Sequence, residues 1–193
     1  MKRTSAFLFV FILTLLLASC KTDGGADRQT PAEKLNIYNM DNILIEYLEY
    51  QPEASEKSML IWNRYKRIEG TEDFDFIGTL VVGLDIFERE NTVTFLNADG
   101  VQLGYISYEY DKNGRKTQEH IYSSDGEHSN TVMSGLYHYD DDGRHIKTER
   151  YNKSNELVEY FINEYDGDGS FSRRIRYDGS GIPQDYSDKT TDA

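Results

Sequence analysis

Short runs of strand-forming residues alternate with short polar breaks along most of the chain. From Leu35 to about Ile182, Tyr, Phe, Ile, Val and Thr recur in runs that Asp, Asn and Gly interrupt, and Pro52 is the only proline in this range. Such runs favour β-strands, and such breaks favour turns. Roughly 148 residues lie in this range, which is enough for one domain with its own core. The pattern therefore predicts a single all-β domain over residues 35–182.

A repeated turn sequence divides the second half of this domain. The unit is Tyr-Asp-x-x-Gly, with a second Tyr eight residues after the Gly and a Gly or Asn four residues later. Its three copies span Tyr110–Gly126, Tyr139–Asn155 and Tyr165–Gly181. Two fainter copies precede them: Tyr38–Tyr47 parallels Tyr151–Tyr160, and Phe95–Gly100 resembles the turn with one extra residue. An internal repeat of this kind indicates one repetitive domain rather than two.

Each Tyr-Asp-x-x-Gly unit has the composition of a tight turn. Asp at the first turn position accepts hydrogen bonds from backbone N–H groups just ahead, and Gly at the last position adopts positive φ without a Cβ clash. The structural turn residues are thus Asp111 and Gly114, Asp140 and Gly143, and Asp166 and Gly169. We predict a single-domain antiparallel β-meander of about ten strands, each about 27 Å long in the repeat, with turns alternating between two ends. It forms a curved sheet or a partly closed barrel.

The three turns also resemble a known family of repeats. The phrases YEYDKNGRK, YHYDDDGRHIK and NEYDGDGSF are similar to the YD repeats of Rhs-type bacterial surface and secreted proteins. The resemblance covers about residues 95–182 well and residues 36–94 poorly. It implies a β-hairpin architecture. Because the chain has too few units for the toxin-enclosing shell of long family members, the resemblance does not imply their function.

The N-terminus has the sequence of an export signal. Lys2 and Arg3 precede an apolar run from Ala6 to Ala18, which is shorter than the roughly 20 residues of a spanning helix. The run ends in Leu17-Ala18-Ser19-Cys20, which resembles the lipobox of bacterial lipoproteins. The resemblance implies cleavage before Cys20, so that residues 1–19 are the signal peptide, and lipidation of Cys20. Lipid chains on Cys20 would anchor the protein to a membrane.

Two polar segments flank the predicted domain. Residues 20–34 consist of the cysteine and a segment rich in Gly, Asp and Thr, which is typical of a flexible tether. Residues 183–193 have no hydrophobic period, and we predict a disordered tail there. Lys21 follows the cysteine, whereas an Asp at this position would resemble an inner-membrane retention signal. This favours the outer membrane or the cell surface of the bacterial envelope over the inner membrane.

Composition and charge exclude several functions. Cys20 is the only cysteine, so a lipidated chain has no thiol for a disulfide, a nucleophile or a metal site. The net charge is −13, and loss of Lys2 and Arg3 with the signal peptide makes it −15. Nucleic-acid binding needs clustered Lys and Arg on a basic surface, so nucleic acid is not a predicted partner.

Metal and catalytic motifs give no stronger signal. The acidic turns Asp140–Gly143 and Asp166–Gly169 place carboxylates as calcium ligands do, but an EF-hand counted from Asp140 would need Gly and Glu where His145 and Tyr151 stand. Turn chemistry explains the same residues. None of the four histidines has a ligand spacing such as His-x-x-x-His, and no nucleophile elbow, P-loop or dinucleotide fingerprint is present. We predict no metal, no cofactor and no catalytic residues.

A basic stripe is the remaining candidate site. Eight cations follow the turn glycines at similar offsets: Arg115, Lys116, Arg144, Lys147, Arg150, Arg173, Arg174 and Arg176. Cross-strand ion pairs with glutamates on a solvated face are one explanation. The other is a groove for an anionic glycan or lipid headgroup, since guanidinium groups bind acids in a bidentate manner. The candidate anion-binding residues are Arg115, Arg144, Arg150 and Arg174.

These patterns together predict a non-catalytic envelope lipoprotein whose β-repeat sheet is an interaction or structural surface. Its partners are the membrane, through the N-terminal lipid, and an envelope glycan or a protein. One alternative is a carbohydrate-acting enzyme with carboxylates on the sheet, which would need two carboxylates about 5 to 10 Å apart in a pocket. The second alternative is an accessory or immunity partner of a YD-repeat toxin.

Overall fold

The described part of the chain is almost entirely β-strand. A computed structural model of the protein describes residues 33–124 and 129–188. Within them lie twelve strands and one turn of 3-10 helix, Pro52–Ala54. The strands are β1 (Lys34–Asn39), β2 (Leu44–Tyr50), β3 (Met59–Arg67), β4 (Phe74–Leu84), β5 (Glu90–Asn97), β6 (Gln102–Tyr110), β7 (Lys116–Ser124), β8 (Ser129–Tyr139), β9 (His145–Asn152), β10 (Leu157–Tyr165), β11 (Phe171–Asp178) and β12 (Pro183–Asp188).

The strands form a closed antiparallel barrel in simple meander order. Each strand pairs with the next along the chain, and β1 pairs with β12 to close the ring. The closing ladder is short, because it joins only Ile37, Tyr38 and Asn39 to Ser187, Tyr186 and Asp185. The all-β, single-domain meander is therefore confirmed. The described strands exceed the expected ten by two, and the sheet closes completely.

The C-terminal segment differs from our expectation. We predicted disorder from Pro183 onwards, but Pro183–Asp188 forms β12, which pairs with both β1 and β11. The sequence did not indicate this strand, because Pro183–Asp188 has few apolar residues and its buried residue, Ser187, is polar. Two neighbouring ladders supply the hydrogen bonds that fix it.

Some predicted features lie outside the described residues. They are the signal peptide, Cys20, most of the tether, the turn at Gly126, His128 and residues 189–193. Within residues 33–124 and 129–188, no helix has the length and apolar character needed to cross a membrane.

One turn geometry joins most of the hairpins. Asp or Asn opens it, its carbonyl accepts from the N–H three residues later, and its own N–H donates to the carbonyl four residues later. It begins at Asn39, Asp85, Asn97, Asp111, Asp140, Asn152, Asp166 and Asp178. Gly114, Gly143 and Gly169 have φ of 80°, 79° and 83°, which confirms the predicted turns. Phe95–Gly100 was predicted to have one extra residue, but Asn97 takes the Asp position without an insertion.

Because the meander alternates direction, the turns lie at two ends. The near end is where the chain begins at Lys34, and it carries the turns at Asp85, Asp111, Asp140 and Asp166. The far end carries the turns at Asn39, Asn97, Asn152 and Asp178, and the β3–β4 connection. Since β12 runs back from the far end, Asp188 lies at the near end with Lys34.

The barrel interior has two chemically different sides. Alternate residues of β1 to β8 point inwards and form a mainly apolar core, which includes the fully buried Leu48, Trp62 and Val82, with Arg64 and Glu90 as buried charged residues among them. On β7 to β12 the inward positions include charged side chains, among them Glu119, Arg150 and Arg174. On the apolar side, removal of apolar surface from water stabilises the fold. The charged side needs paired groups to offset desolvation.

Tyrosines form cross-strand stacks on the sheet. Tyr105 faces Tyr122 with ring centroids 4.4 Å apart, and Tyr160 faces Tyr177 at 4.9 Å. Stacked aromatic pairs on neighbouring strands stabilise a register. The second Tyr of the repeat is thus a stacking residue in two copies, as Tyr122 and Tyr177, whereas the hydroxyl of Tyr151 donates to Glu149 at 3.1 Å.

Candidate functional site

A cavity of about 910 Å³ opens at the far end of the barrel. Its wall comes from the β1–β2 hairpin, the end of β3 with its following turn, and the adjoining parts of β11 and β12. The cavity lies beside the β1–β12 ladder, so two distant parts of the chain meet there. Its volume is within the range of clefts that bind small molecules, and barrel mouths are common positions for such clefts.

The cavity wall combines apolar and charged side chains. Ile37, Ile43, Ile45 and Ile68 supply the apolar part. Ile43 is 43% exposed, so its side chain is available to a ligand. A wall of this composition suits a molecule with an apolar body and a polar group.

The two carboxylates that face inwards at this cavity are both paired. Glu46 accepts from Arg64 at 2.6 Å, and Asp185 accepts from Arg176 at 2.5 Å. The other two carboxylates of the wall, Glu69 and Glu72, are exposed. A general acid of a glycosidase is instead a carboxyl kept protonated by an apolar environment. The paired carboxylates and the exposed carboxylates of this wall both lack such an apolar environment.

Below the cavity, an ion network crosses the charged side of the interior. The Arg150 guanidinium donates to Glu119 at 2.5 Å and to Glu159 at 2.9 Å, and Tyr137 donates to Glu119 at 2.7 Å. Burial alone would raise the pKa of the Glu119 carboxyl, but Arg150 and Tyr137 hold it below its ordinary value. Gly135 makes room for this carboxylate, because a Cβ there would lie 2.6 Å from the Glu119 side chain.

Arg174 is buried in the same region, and it has no ionic partner within residues 33–124 and 129–188. Only 4% of its surface is exposed. Its Nη2 makes a long hydrogen bond of 3.4 Å to Thr148 Oγ1, its guanidinium lies 4.2 Å from the Phe161 ring centre, and its Nε has no acceptor within the described residues. Burial lowers the pKa of Arg174 to about 10, which leaves the group charged at neutral pH. The charge of Glu119 attracts Arg174 and offsets part of the cost of its burial, but within the described residues no carboxylate forms an ion pair with it.

A second, small cavity lies against Arg174. Its volume is about 10 Å³, which is room for about one water-sized atom. Ser187 and Phe161 contribute to its wall. Ile37, Arg176 and Asp185 line both this cavity and the large one, so the two cavities adjoin at the Arg176–Asp185 ion pair.

His145 is a histidine of the barrel interior with a strongly lowered pKa. Burial is the main reason that the pKa of its imidazole is lowered to about 3, and the positive charges of Arg174 and Lys116 contribute to this lowering. The hydrogen bonds agree with a neutral ring: Asn163 Nδ2 donates to Nδ1 at 2.9 Å, and Nε2 donates to Thr148 Oγ1 at 2.8 Å. His145 thus supports the barrel interior as an uncharged group.

The structure does not bring the predicted basic stripe onto one face. Arg115 and Arg144 lie at the near end, where each pairs with the Asp of its own turn. Arg150 and Arg174 point into the interior instead. Among the four candidate arginines, and within the described residues, Arg150 is the one with a carboxylate partner on a neighbouring strand, Glu159 on β10. Arg150 points inwards because side chains alternate between the two faces of β9, and its partners Glu119 and Glu159 are buried on the same interior face.

Three near-end arginines link neighbouring hairpins. Each donates through Nε to the Asp that opens its own turn, and its guanidinium lies over the Tyr that precedes the next turn at that end. The sets are Asp85, Arg89 and Tyr110; Asp111, Arg115 and Tyr139; and Asp140, Arg144 and Tyr165. Each Tyr hydroxyl also donates to a backbone carbonyl of the preceding near-end hairpin. The first Tyr of the repeat therefore connects one hairpin to another.

The carboxylates of the acidic turns accept hydrogen bonds from groups of their own turn. Asp140 accepts the Arg144 backbone N–H at 2.8 Å and the Arg144 Nε at 2.7 Å, and Asp168 accepts the Ser170 N–H at 2.9 Å. Over the two described ranges, no group of three or more His, Asp or Glu side chains is arranged to hold a metal ion.

Comparison with known proteins adds no identification. No protein-family model matches the chain. A search of curated proteins likewise gave no significant match. The function must therefore be inferred from the geometry of the barrel and its cavities.

Proposed function

We propose that this protein is a non-catalytic, membrane-anchored binding protein of the bacterial envelope, whose ligand site is the far-end cavity. The single observation that carries the proposal is an open cavity of about 910 Å³ at one end of a closed barrel. The Cys20 lipobox supports the anchor and the envelope location. We thus propose the far-end cavity as the binding site, in place of the sheet surface that we expected from the sequence.

Pairing and burial favour binding over catalysis. Glu46 and Asp185 are each held in an ion pair by an arginine of the barrel wall, so both carboxylates already have a partner within the protein. The isoleucines instead offer apolar area to a ligand. Removing such area from water contributes about 25 cal/mol for each Å² that is buried.

Binding can be tested with a neutral fluorescent probe, N-phenylnaphthylamine, on the mature chain from residue 20 with Cys20→Ser, which carries no lipid. All ladders that close the barrel lie within Lys34–Asp188, so this chain retains them. We expect a saturable rise in fluorescence. Ile43→Asp, which places a charge in the apolar wall, should weaken binding by about tenfold or more.

Val101→Asp is the matched control. Val101 and Ile43 occupy the same position of the same turn type, and each donates its backbone N–H to the Asn that opens the turn. Val101 is also exposed but does not line the cavity. The control should bind like the parent. A parent that shows no saturable signal, or two variants that lose binding equally, would contradict the far-end site.

A further inference from the structure

We propose that the ligand of the far-end cavity is an amphipathic acid, and that Arg174 is the residue that recognises its anionic group. The apolar body would lie on the cavity isoleucines, and one oxygen of a carboxylate, sulfonate or phosphate would enter the small cavity beside Arg174. This inference rests on the proposed binding function and adds the chemical class of the ligand.

The first step of the argument is the state of Arg174 itself. Its side chain is almost fully buried and charged, yet no carboxylate among the described residues lies within ion-pair distance, and its Nε lacks an acceptor. The neighbouring interior arginine, Arg150, shows the usual solution, since two carboxylates hold it. A protein that needed only a filled interior would be as stable with an apolar side chain at position 174. The unpaired donor is thus suited to an acceptor that comes from outside.

The second step is the path to Arg174. The small cavity at its guanidinium has room for about one oxygen atom, and it adjoins the large cavity at Arg176 and Asp185. Asp185 is 16% exposed and lies at the mouth, so its side chain can turn to solvent when an acid replaces it on Arg176. The ligand acid would then lie between two guanidinium groups, which bind planar anions in a bidentate manner.

The third step is the position of the apolar wall. Ile37 lines both cavities, and Ile43, Ile45 and Ile68 line the large one. An anionic group at Arg174 therefore leaves the rest of the molecule on apolar surface. This arrangement selects for a charge at one end of an apolar body rather than for a polar molecule such as a sugar.

The test compares two probes that differ by one acid group. Anilinonaphthalene sulfonate has the ring system of N-phenylnaphthylamine and an added sulfonate. On the mature, unlipidated chain we expect the sulfonate to bind at least tenfold more tightly than the neutral probe. Arg174→Met should remove this preference, leave binding of the neutral probe within about twofold, and not lower the unfolding temperature.

Arg173→Met is the matched control for the same charge. Arg173 is the adjacent residue, but its side chain is half-exposed and pairs with Glu164 at 2.6 Å. The control should keep the preference for the sulfonate. A preference that survives Arg174→Met, that is lost equally in Arg173→Met, or that is absent from the parent would overturn the inference. If the parent binds the neutral probe without preference, the binding function stands and the ligand class is wrong, whereas a parent that binds neither probe contradicts both.

Discussion

Several interior residues owe their state to partners that lie far away in the sequence. Glu119 and Arg150 are separated by 31 positions, and their pairing is buried between β7 and β9. Truncation of Arg150 would leave the buried Glu119 and Glu159 without their shared guanidinium, and breaking a buried pair in this way typically costs about 3 to 5 kcal/mol. Near-end pairs such as Asp111 with Arg115 are more exposed and stabilise far less. Burial, rather than the number of ion pairs, therefore decides which arginines matter for stability.

His145 makes the stability of the barrel depend on pH. The unfolded imidazole has a pKa of about 6.5, and the folded one has a pKa of about 3. Its contribution is therefore fully present above pH 6.5 and is lost as the pH falls towards 3, because only the unfolded chain then binds the proton. We expect the free energy of unfolding to fall by about 1 to 2 kcal/mol between pH 8 and pH 5.

Urea unfolding at the two pH values measures this effect. His145→Gln should remove most of the loss between pH 8 and pH 5, whatever its own stability at pH 8. The control is His138→Gln, because His138 is 44% exposed and pairs with Glu149 on the surface. If the parent and His145→Gln lose the same free energy over this pH range, His145 is not the titrating group.

At the level of elements, the repeat was readable because its chemistry is local. Asp140 and Gly143 form the turn from hydrogen bonds within five residues, so the sequence alone predicted their positions. The turns that open at Asn39 and Asp85 have the same geometry, although Asn42 and Glu88 take the positive φ in place of Gly. In the sequence, the turn at Asn39 gave only a faint copy of the repeat, and the turn at Asp85 gave none. Both lack the Gly that marks the repeat, and tertiary pairing of the strands imposes the turn without it.

Gly143 tests the turn assignment directly. Its φ of 79° is unfavourable for a β-branched residue, so Gly143→Val should lower the free energy of unfolding by more than about 1 kcal/mol. Gly167 is the control within a sister turn, since its φ is not positive and a Cβ there would have no heavy atom within 4 Å. Gly167→Val should unfold near the parent midpoint in urea. Equal midpoints for Gly143→Val and the parent would contradict the assignment.

At the scale of the whole molecule, the prediction from sequence stopped at long-range contacts. The meander order followed from alternating strands and turns. The closing ladder between Tyr38 and Tyr186 joins residues with no local signal, and the far-end cavity depends on that ladder. Arg174 was selected as a candidate, but its burial depends on which face of β11 points inwards. Register, closure and burial therefore had to come from the structure.

The closing strand should be essential for folding. A chain that ends at Ile182 lacks β12, so β1 and β11 would both become unpaired edges, and the stack of Tyr186 on Tyr38 would be lost. We expect this chain to aggregate or to lose cooperative thermal unfolding. A chain that ends at Asp188 is the control and should unfold like the parent. Cooperative unfolding of the shorter chain at the parent temperature would show that β12 is dispensable.

The even number of strands also determines how the barrel is presented. Lys34 and Asp188 both lie at the near end, and the cavity opens at the opposite end. A lipid on Cys20 would therefore attach the barrel to the bilayer through its near end, so that the attachment does not cover the cavity. A soluble carrier could then exchange ligand with the barrel while the barrel remains attached. By the same geometry, a reporter fused after the last strand would leave the mouth unobstructed, whereas an odd number of strands would have placed that reporter across it.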